Sequence, residues 1–247
     1  MCTVALAFQR YPGLPLLLAA NRDEKLDRPA EPLALREHQG HAVLTPLDRL
    51  AGGTWLGLSR HQVLVAVTNR FGFTRDPARR SRGLIVLDAL TAPTAAEAAG
   101  AVAALPPEAT NPFHLFIADR QRGFLLVHDG AAIRTSELAP GWHVLTERSE
   151  MGAPPLRELK VRRALAAMEA VPQREALKDL LSSHQDAPLD ATCVHLPDLD
   201  YGTRATTLYF GAESRAERRL YSAEGPACQS QLVDQSALLE ALGSARS

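Results

Sequence analysis

The 247 residues, 46% of them hydrophobic, suffice to bury one sizeable core, and 27 Lys and Arg against 28 Asp and Glu leave no global charge that calls for nucleic acid or an acidic surface as partner. Three cysteines, at positions 2, 193 and 228, make no disulfide framework and point to a reducing compartment, with the cytoplasm as the expected location. No apolar run approaches the roughly 18 residues of a membrane span, so no stable membrane insertion is expected.

Val4, Leu6 and Phe8 alternate with Thr3, Ala5 and Ala7, which is the period of a strand. Tyr11-Pro12-Gly13 supplies a turn, and the apolar run 14–20 completes a hairpin that starts at Cys2 and ends at Asn21-Arg22-Asp23-Glu24. Four polar residues thereby stand beside the cysteine. The run 14–20 reads as core rather than signal peptide, because a strand precedes it and Asp23, Glu24 and Asp27 follow; no organellar presequence is expected ahead of Cys2.

Residues 25–32, with two prolines and mixed charge, read as an extended loop, and 42–44 as a short strand. Residues 52–58 and 61–68 form a second hairpin around Ser59-Arg60, ended by Asn69. The loop 69–83 carries Arg70, Arg75, Arg79, Arg80 and Arg82, with Phe71 and Phe73 between them and Asp76 the one acid. Ser81 is placed to cap a helix from near Leu84, and Thr94 to cap an alanine-rich one through Ala104 that Pro106-Pro107 stops. Segments 113–118, 123–128, 131–135 and 142–146 read as strands of a second sheet. Helical periodicity runs through 156–168 and 174–182, and 185–202 is polar and contains prolines. A strand over 203–210 pairs with 218–222, a short amphipathic helix covers 230–242, and the last residues are expected to lack order. These elements predict a single α+β domain over 1–247, a four-layer α/β/β/α sandwich with helices outside two sheets.

Cysteine at position 2 carries the chemistry. Its small side chain permits removal of Met1, which leaves a thiol and a free α-amine on one residue. With unperturbed pKa values of about 7.7–8.0 for the amine and about 8.5 for the thiol, the neutral amine can take the thiol proton near neutral pH. A lone cysteine elsewhere is commonly a small core residue. For metals, the eight histidines include no i, i+4 pair and Cys193-Val194-His195 lacks a matching second pair, so no metal site is predicted. No Cys-x-x-Cys-His occurs, which excludes covalent c-type haem but leaves reversible haem binding open.

The opening Met-Cys-Thr and Asn21-Arg22-Asp23-Glu24, with Gly52-Gly53-Thr54-Trp55-Leu56-Gly57, Val67-Thr68-Asn69, Ser81-Arg82-Gly83 and Tyr201-Gly202-Thr203-Arg204, resemble the NRDE family, also called the transport and Golgi organisation protein 2 family. The resemblance spans nearly the whole chain and implies an N-terminal-nucleophile hydrolase fold, which by itself does not establish hydrolysis. It implies catalytic roles for Cys2, for Asp23 toward the Cys2 amine, for Asn69 as an oxyanion donor and for Arg204 near the thiol. An oxyanion donor of this kind contributes roughly 3 kcal/mol in the transition state. Substrate contacts are expected from Asn21, Arg22, Glu24, Trp55, Arg70 and Arg82, with Arg22 facing the thiolate or a substrate carboxylate. The other reading of 21–24 is a buried corner network of turn, cap and ion pair, and that of the arginine loop is a solvated basic loop. Thr203, Thr206 and Thr207 are expected to serve sheet packing. One departure is Glu147, which stands where many relatives have an asparagine and cannot donate to an oxyanion unless protonated.

Two functions follow as expectations. One is a cysteine hydrolase acting on a small amide or acyl substrate, at a C–N bond or thioester, with no cofactor required. The other, because members of the family have been linked to haem trafficking, is a non-enzymatic carrier of haem or an acyl lipid in the same cleft. In both, the partner is a small anionic or acyl molecule.

Overall fold

The opening alternation folds as a hairpin: strand β1 (Cys2–Tyr11) turns into β2 (Leu14–Lys25) through Gly13, whose φ of 73° suits a residue without Cβ. The computed structural model describes residues 2–184 and 187–245. After the hairpin come β3 (Ala30–His38), β4 (His41–Asp48), β5 (Leu56–Ser59) and β6 (Leu64–Asn69), then helices α1 (Arg82–Ala89) and α2 (Ala95–Ala103). Strands β7 (Phe113–Ala118), β8 (Gly123–His128), β9 (Ile133–Glu137) and β10 (Gly141–Leu145) lead to helices α3 (Leu156–Ala166) and α4 (Arg174–Leu181). Strands β11 (His195–Leu196), β12 (Tyr201–Gly211), β13 (Arg219–Glu224) and β14 (Val233–Asp234) precede helix α5 (Ser236–Ser244). No described helix is long and apolar enough to cross a membrane. The chain divides into two units, one reaching to Arg28 and taking in Pro140–Ser236, the other taking in Pro29–Ala139 and the chain from Ala237.

In the first unit the sheet order is β10-β1-β2-β12-β13-β14, with β11 on the end of β12, and the neighbours are antiparallel. Residues 142–146, expected in the second sheet, instead pair with β1, Val4 opposite Leu145 and Phe8 opposite Gly141. Alternation identifies a strand but says nothing of its partner. Ala5, Ala7, Leu17, Ala19, Val144, Leu208 and Ala223 form one face of this sheet and pack with Val161 and Leu165 of α3 and Leu177 and Leu181 of α4. Because side chains alternate across a strand, Asn21 and Asp23 share that helix-covered face, whereas Cys2 and Arg22 share the other. This parity positions the site.

The second unit is an antiparallel meander, β3 through β9 in sequence order, with α1 against β5 and β6 and α2 against β7, β8 and β9. Ser81 caps α1 by accepting from Gly83 N, and Thr94 caps α2 by accepting from Glu97 N. The expected loop 25–32 gives way to β3 from Ala30. Pro32 is tolerated there because β3 is an edge strand whose register shifts between Glu31 and Ala34. The expected helix 230–242 begins only at Ser236, whose N–H is taken by Asp234 Oδ1 at 2.8 Å, and Val233 and Asp234 pair with β13. Part of the polar segment 185–202 falls on residues 185–186, and the expected disorder at the end on 246–247, both outside the described residues.

The Gly52-Gly53-Thr54 and Ser81-Arg82-Gly83 stretches meet. Thr54 N donates to Gly83 O at 3.1 Å, and a Cβ on Gly53 would lie 2.4 Å from the carbonyl carbon of Gly83. Backbone meets backbone, so no side chain can yield. Gly53→Ala is expected to cost about 3 kcal/mol, the upper range for overpacking, read as a lower urea midpoint with unchanged slope. An unchanged midpoint would mean that the two segments do not touch.

Candidate active site

Cys2 opens β1 directly across from Arg22 on β2. Cys2 is half-buried as a residue, and Arg22 is 8% exposed. Burial pushes the Cys2 thiol pKa up and the Asp23 carboxylate adds to this, while the Asp23 backbone N–H and the Arg22 guanidinium pull it back without cancelling it. The thiol is therefore protonated at neutral pH and needs a base to react.

Asp23, one residue on, points to the helix-covered side and is 3% exposed. Its Oδ2 accepts from Arg157 Nη1 at 3.2 Å and its Oδ1 from Thr203 Oγ1 at 2.7 Å, and its backbone carbonyl accepts from the Tyr201 hydroxyl at 2.9 Å. Arg157, from α3, is itself 2% exposed and donates through Nη2 to Leu189 O at 2.8 Å. Burial lifts the Asp23 carboxyl to about 6, outweighing Arg157 and Thr203, and the Glu147 carboxylate adds to the rise. Glu147 is buried; its Oε1 lies 3.8 Å from Arg148 Nε, and its Oε2 has no hydrogen-bond partner among the described residues.

Asn21 ties the hairpin to the helical layer. Its Nδ2 donates to Leu181 O and Thr192 O, both at 2.8 Å, and its Oδ1 accepts from Thr206 Oγ1 at 2.7 Å. On the Cys2 side Glu24 lies 3.8 Å from Arg22 and 3.7 Å from Arg28. Arg204, the extra residue of a bulge in β12, donates through Nη1 to Lys25 O at 3.0 Å and Arg28 O at 2.5 Å. Thr203 and Thr206 thus do more than pack the sheet, as they hydrogen-bond Asp23 and Asn21.

The structure gathers Cys2, Asn21, Arg22, Asp23, Glu24 and Arg204 on β1, β2 and β12. Asn69, Trp55, Arg70 and Arg82 lie in the second unit. There Asn69 ends β6, exposed and paired with Phe113. Trp55 is buried, and its Nε1 has no hydrogen-bond partner among the described residues. Arg70 Cζ lies 5.9 Å from the Phe73 ring centre, and Arg82 donates to Pro112 O at 3.0 Å. Arg79 donates to Thr110 O at 3.1 Å and Arg80 pairs with Asp88 at 2.6 Å, so these loop arginines hold the unit's own carbonyls and acid.

Sequence reasoning missed Arg157 and Tyr201. A signal for Arg157 existed: it precedes Val161 by four residues and Leu165 by eight, which places it on the buried stripe of α3.

The family model described as Transport and Golgi organisation 2 matches residues 1–216. The Transport and Golgi organization 2 homolog of Mus musculus is 31% identical over 210 residues, covering 80% of this chain and 75% of that protein. The Bos taurus homolog is 28% identical over 249 residues, covering 84% and 87%. Among solved structures, a Caenorhabditis elegans N-acylethanolamine-hydrolyzing acid amidase ortholog aligns at TM-score 0.62 and 14% identity over 94% of this chain and 100% of that one. The C2A mutant of the conjugated bile acid hydrolase from Clostridium perfringens aligns at 0.59 and 12% over 100% and 95%. Penicillin V acylase from Agrobacterium tumefaciens aligns at 0.57 and 13% over 95% and 86%. At these identities the likeness shows the fold alone, the α+β class of the N-terminal-nucleophile hydrolases expected from the sequence.

Two outcomes test the corner. Asn21→Ala strips three buried hydrogen bonds and is expected to destabilise by about 3 kcal/mol in urea unfolding; a loss within 0.5 kcal/mol, about the spread of surface substitutions, would contradict the tie. For Asp23, a carboxyl raised from 3.8 to about 6 binds its proton more tightly when folded, so its contribution to stability is full below pH 3.8 and is lost as pH rises through 6. Relative to Asp23→Asn, the protein should therefore lose about 2 kcal/mol between pH 4 and pH 7. A difference that stays flat with pH would show that the carboxyl is not raised.

Proposed function

The chain belongs to the Transport and Golgi organisation 2 family, and from that premise and the geometry at Cys2 we propose an N-terminal-cysteine hydrolase that cleaves a small amide or acyl substrate. The observation that carries the reading is the placement of Cys2 at the first position of a central hairpin, opposite Arg22, with Asp23 held behind it by Arg157 and Thr203. The raised thiol requires a base, and removal of Met1 supplies one in the Cys2 α-amine. The amine takes the thiol proton, sulfur attacks the carbonyl carbon, and the protonated amine returns the proton to the departing amine or thiol. Water, deprotonated by the same α-amine, then releases the acyl group from sulfur as a carboxylic acid.

The neighbouring side chains have distinct tasks in this scheme. Asp23 orients the α-ammonium, and because only the neutral amine can act as base, deprotonation of that amine sets the acid limb of the rate profile. Arg22 favours the thiolate and offers a fixed guanidinium to an acyl chain's own carboxylate. The three solved structures of this fold are named as an amidase, a hydrolase and an acylase, which supports the reaction class without choosing a substrate.

Cys2→Ala is expected to lower turnover of amide and thioester substrates by at least about a thousandfold while leaving the melting temperature unchanged. Full turnover by that variant would overturn the hydrolase. Haem or acyl-lipid binding that survives the substitution, alongside no turnover by the unmodified protein, would favour the carrier.

A further inference from the structure

A second cluster of reactive side chains lies on the first unit, formed by Cys193, His195, Cys228 and His184. Cys193 Sγ is 3.4 Å from His195 Nε2, His195 Nε2 is 3.2 Å from Cys228 Sγ, and the two sulfurs are 3.5 Å apart. The ligand atoms that His184, His195 and Cys228 can offer all lie within 4.8 Å of one another. His184 Nδ1 lies 3.0 Å from Ser182 O, so a hydrogen bond there leaves its Nε2 as a lone-pair donor, the arrangement by which backbone carbonyls orient metal-binding imidazoles. His184, Cys193 and His195 also line a pocket of about 220 Å³, which gives an ion access.

We propose that these four residues bind one thiophilic divalent ion, with the chemistry of Zn²⁺, in a tetrahedral Cys₂His₂ set. With metal–sulfur bonds of about 2.3 Å and metal–nitrogen bonds of about 2.0–2.1 Å, ligand atoms around such an ion stand about 3.3–3.8 Å apart. The three separations among Cys193, His195 and Cys228 already lie within a few tenths of an ångström of that range, and His184, exposed at the end of α4, closes the fourth position. A motif search finds no second pair beside Cys193-Val194-His195 because the fold brings Cys228 from beyond β13 and His184 from beyond α4. Each thiol releases its proton to solvent on coordination, so affinity falls as pH falls.

The site would brace the catalytic corner from behind. Cys193 follows Thr192, whose carbonyl receives Asn21, and precedes Val194, whose N–H donates to Thr203 Oγ1 at 2.8 Å. An ion fixing Cys193 to Cys228 fixes both contacts.

The test is a Co²⁺ titration of untagged, chelator-stripped protein, followed by Zn²⁺ displacement. One equivalent should produce the visible bands of tetrahedral cobalt and a near-ultraviolet thiolate-to-metal charge-transfer band, both lost on adding Zn²⁺. Cys228→Ser should weaken the charge-transfer band, and Cys193→Ser with Cys228→Ser should remove it. His184→Ala, an exposed change that spares the core, should lower affinity at least about tenfold. An octahedral spectrum without charge transfer, unaltered affinity in His184→Ala, or thiol counting that finds Cys193 and Cys228 joined as a disulfide would each overturn the site.

Discussion

The corner at Cys2 depends on a carboxylate that has been taken out of water. Asp23 is held by a guanidinium from α3 and a hydroxyl from β12, so one side chain joins the hairpin, the helical layer and the late strand. Desolvating two charges costs several kcal/mol each, and their attraction does little more than offset that cost. The pair is therefore a poor source of net stability but a strong constraint on geometry, since removing either member leaves the other buried and uncompensated. The chain accepts this cost at the point where β2 runs beside Cys2.

Strand parity then divides the Asn21-Arg22-Asp23-Glu24 run into two jobs. Asn21 and Asp23 face the helices and are consumed by Leu181, Thr192, Thr206, Arg157 and Thr203. Arg22 and Glu24 face the other way, on the side of the thiol. The buried corner network expected of the motif thus describes Asn21 and Asp23, whereas Arg22 and Glu24 are the members left on the side of Cys2. A shift of one residue in the register would exchange them and bury the wrong pair.

Much of this was legible because local rules govern it. The opening hairpin, the caps at Ser81 and Thr94 and the strands over 113–118 and 123–128 follow from periodicity and turn chemistry within a few residues. What escaped is non-local. Nothing in residues 142–146 says that they pair with β1, and nothing around Cys193 announces Cys228. Arg157 escaped for another reason, because an arginine in a helix rich in Lys and Arg reads as surface until its position on the apolar stripe is counted. Gly53, read as part of a hairpin strand, and Gly83 are where two backbones touch.

A fold shared with an amidase, a hydrolase and an acylase at 12–14% identity does not carry their chemistry with it, so hydrolysis by this chain has to be tested at Cys2. The most direct measurement is the intact mass of untagged protein before and after exposure to a thiol-reactive acyl probe. An N-terminal-cysteine hydrolase should show a mass lacking Met1 and a single acyl adduct on Cys2 ahead of Cys193 and Cys228. Retention of Met1 in all of the protein, or an adduct on the other cysteines with Cys2 unmodified, would contradict it.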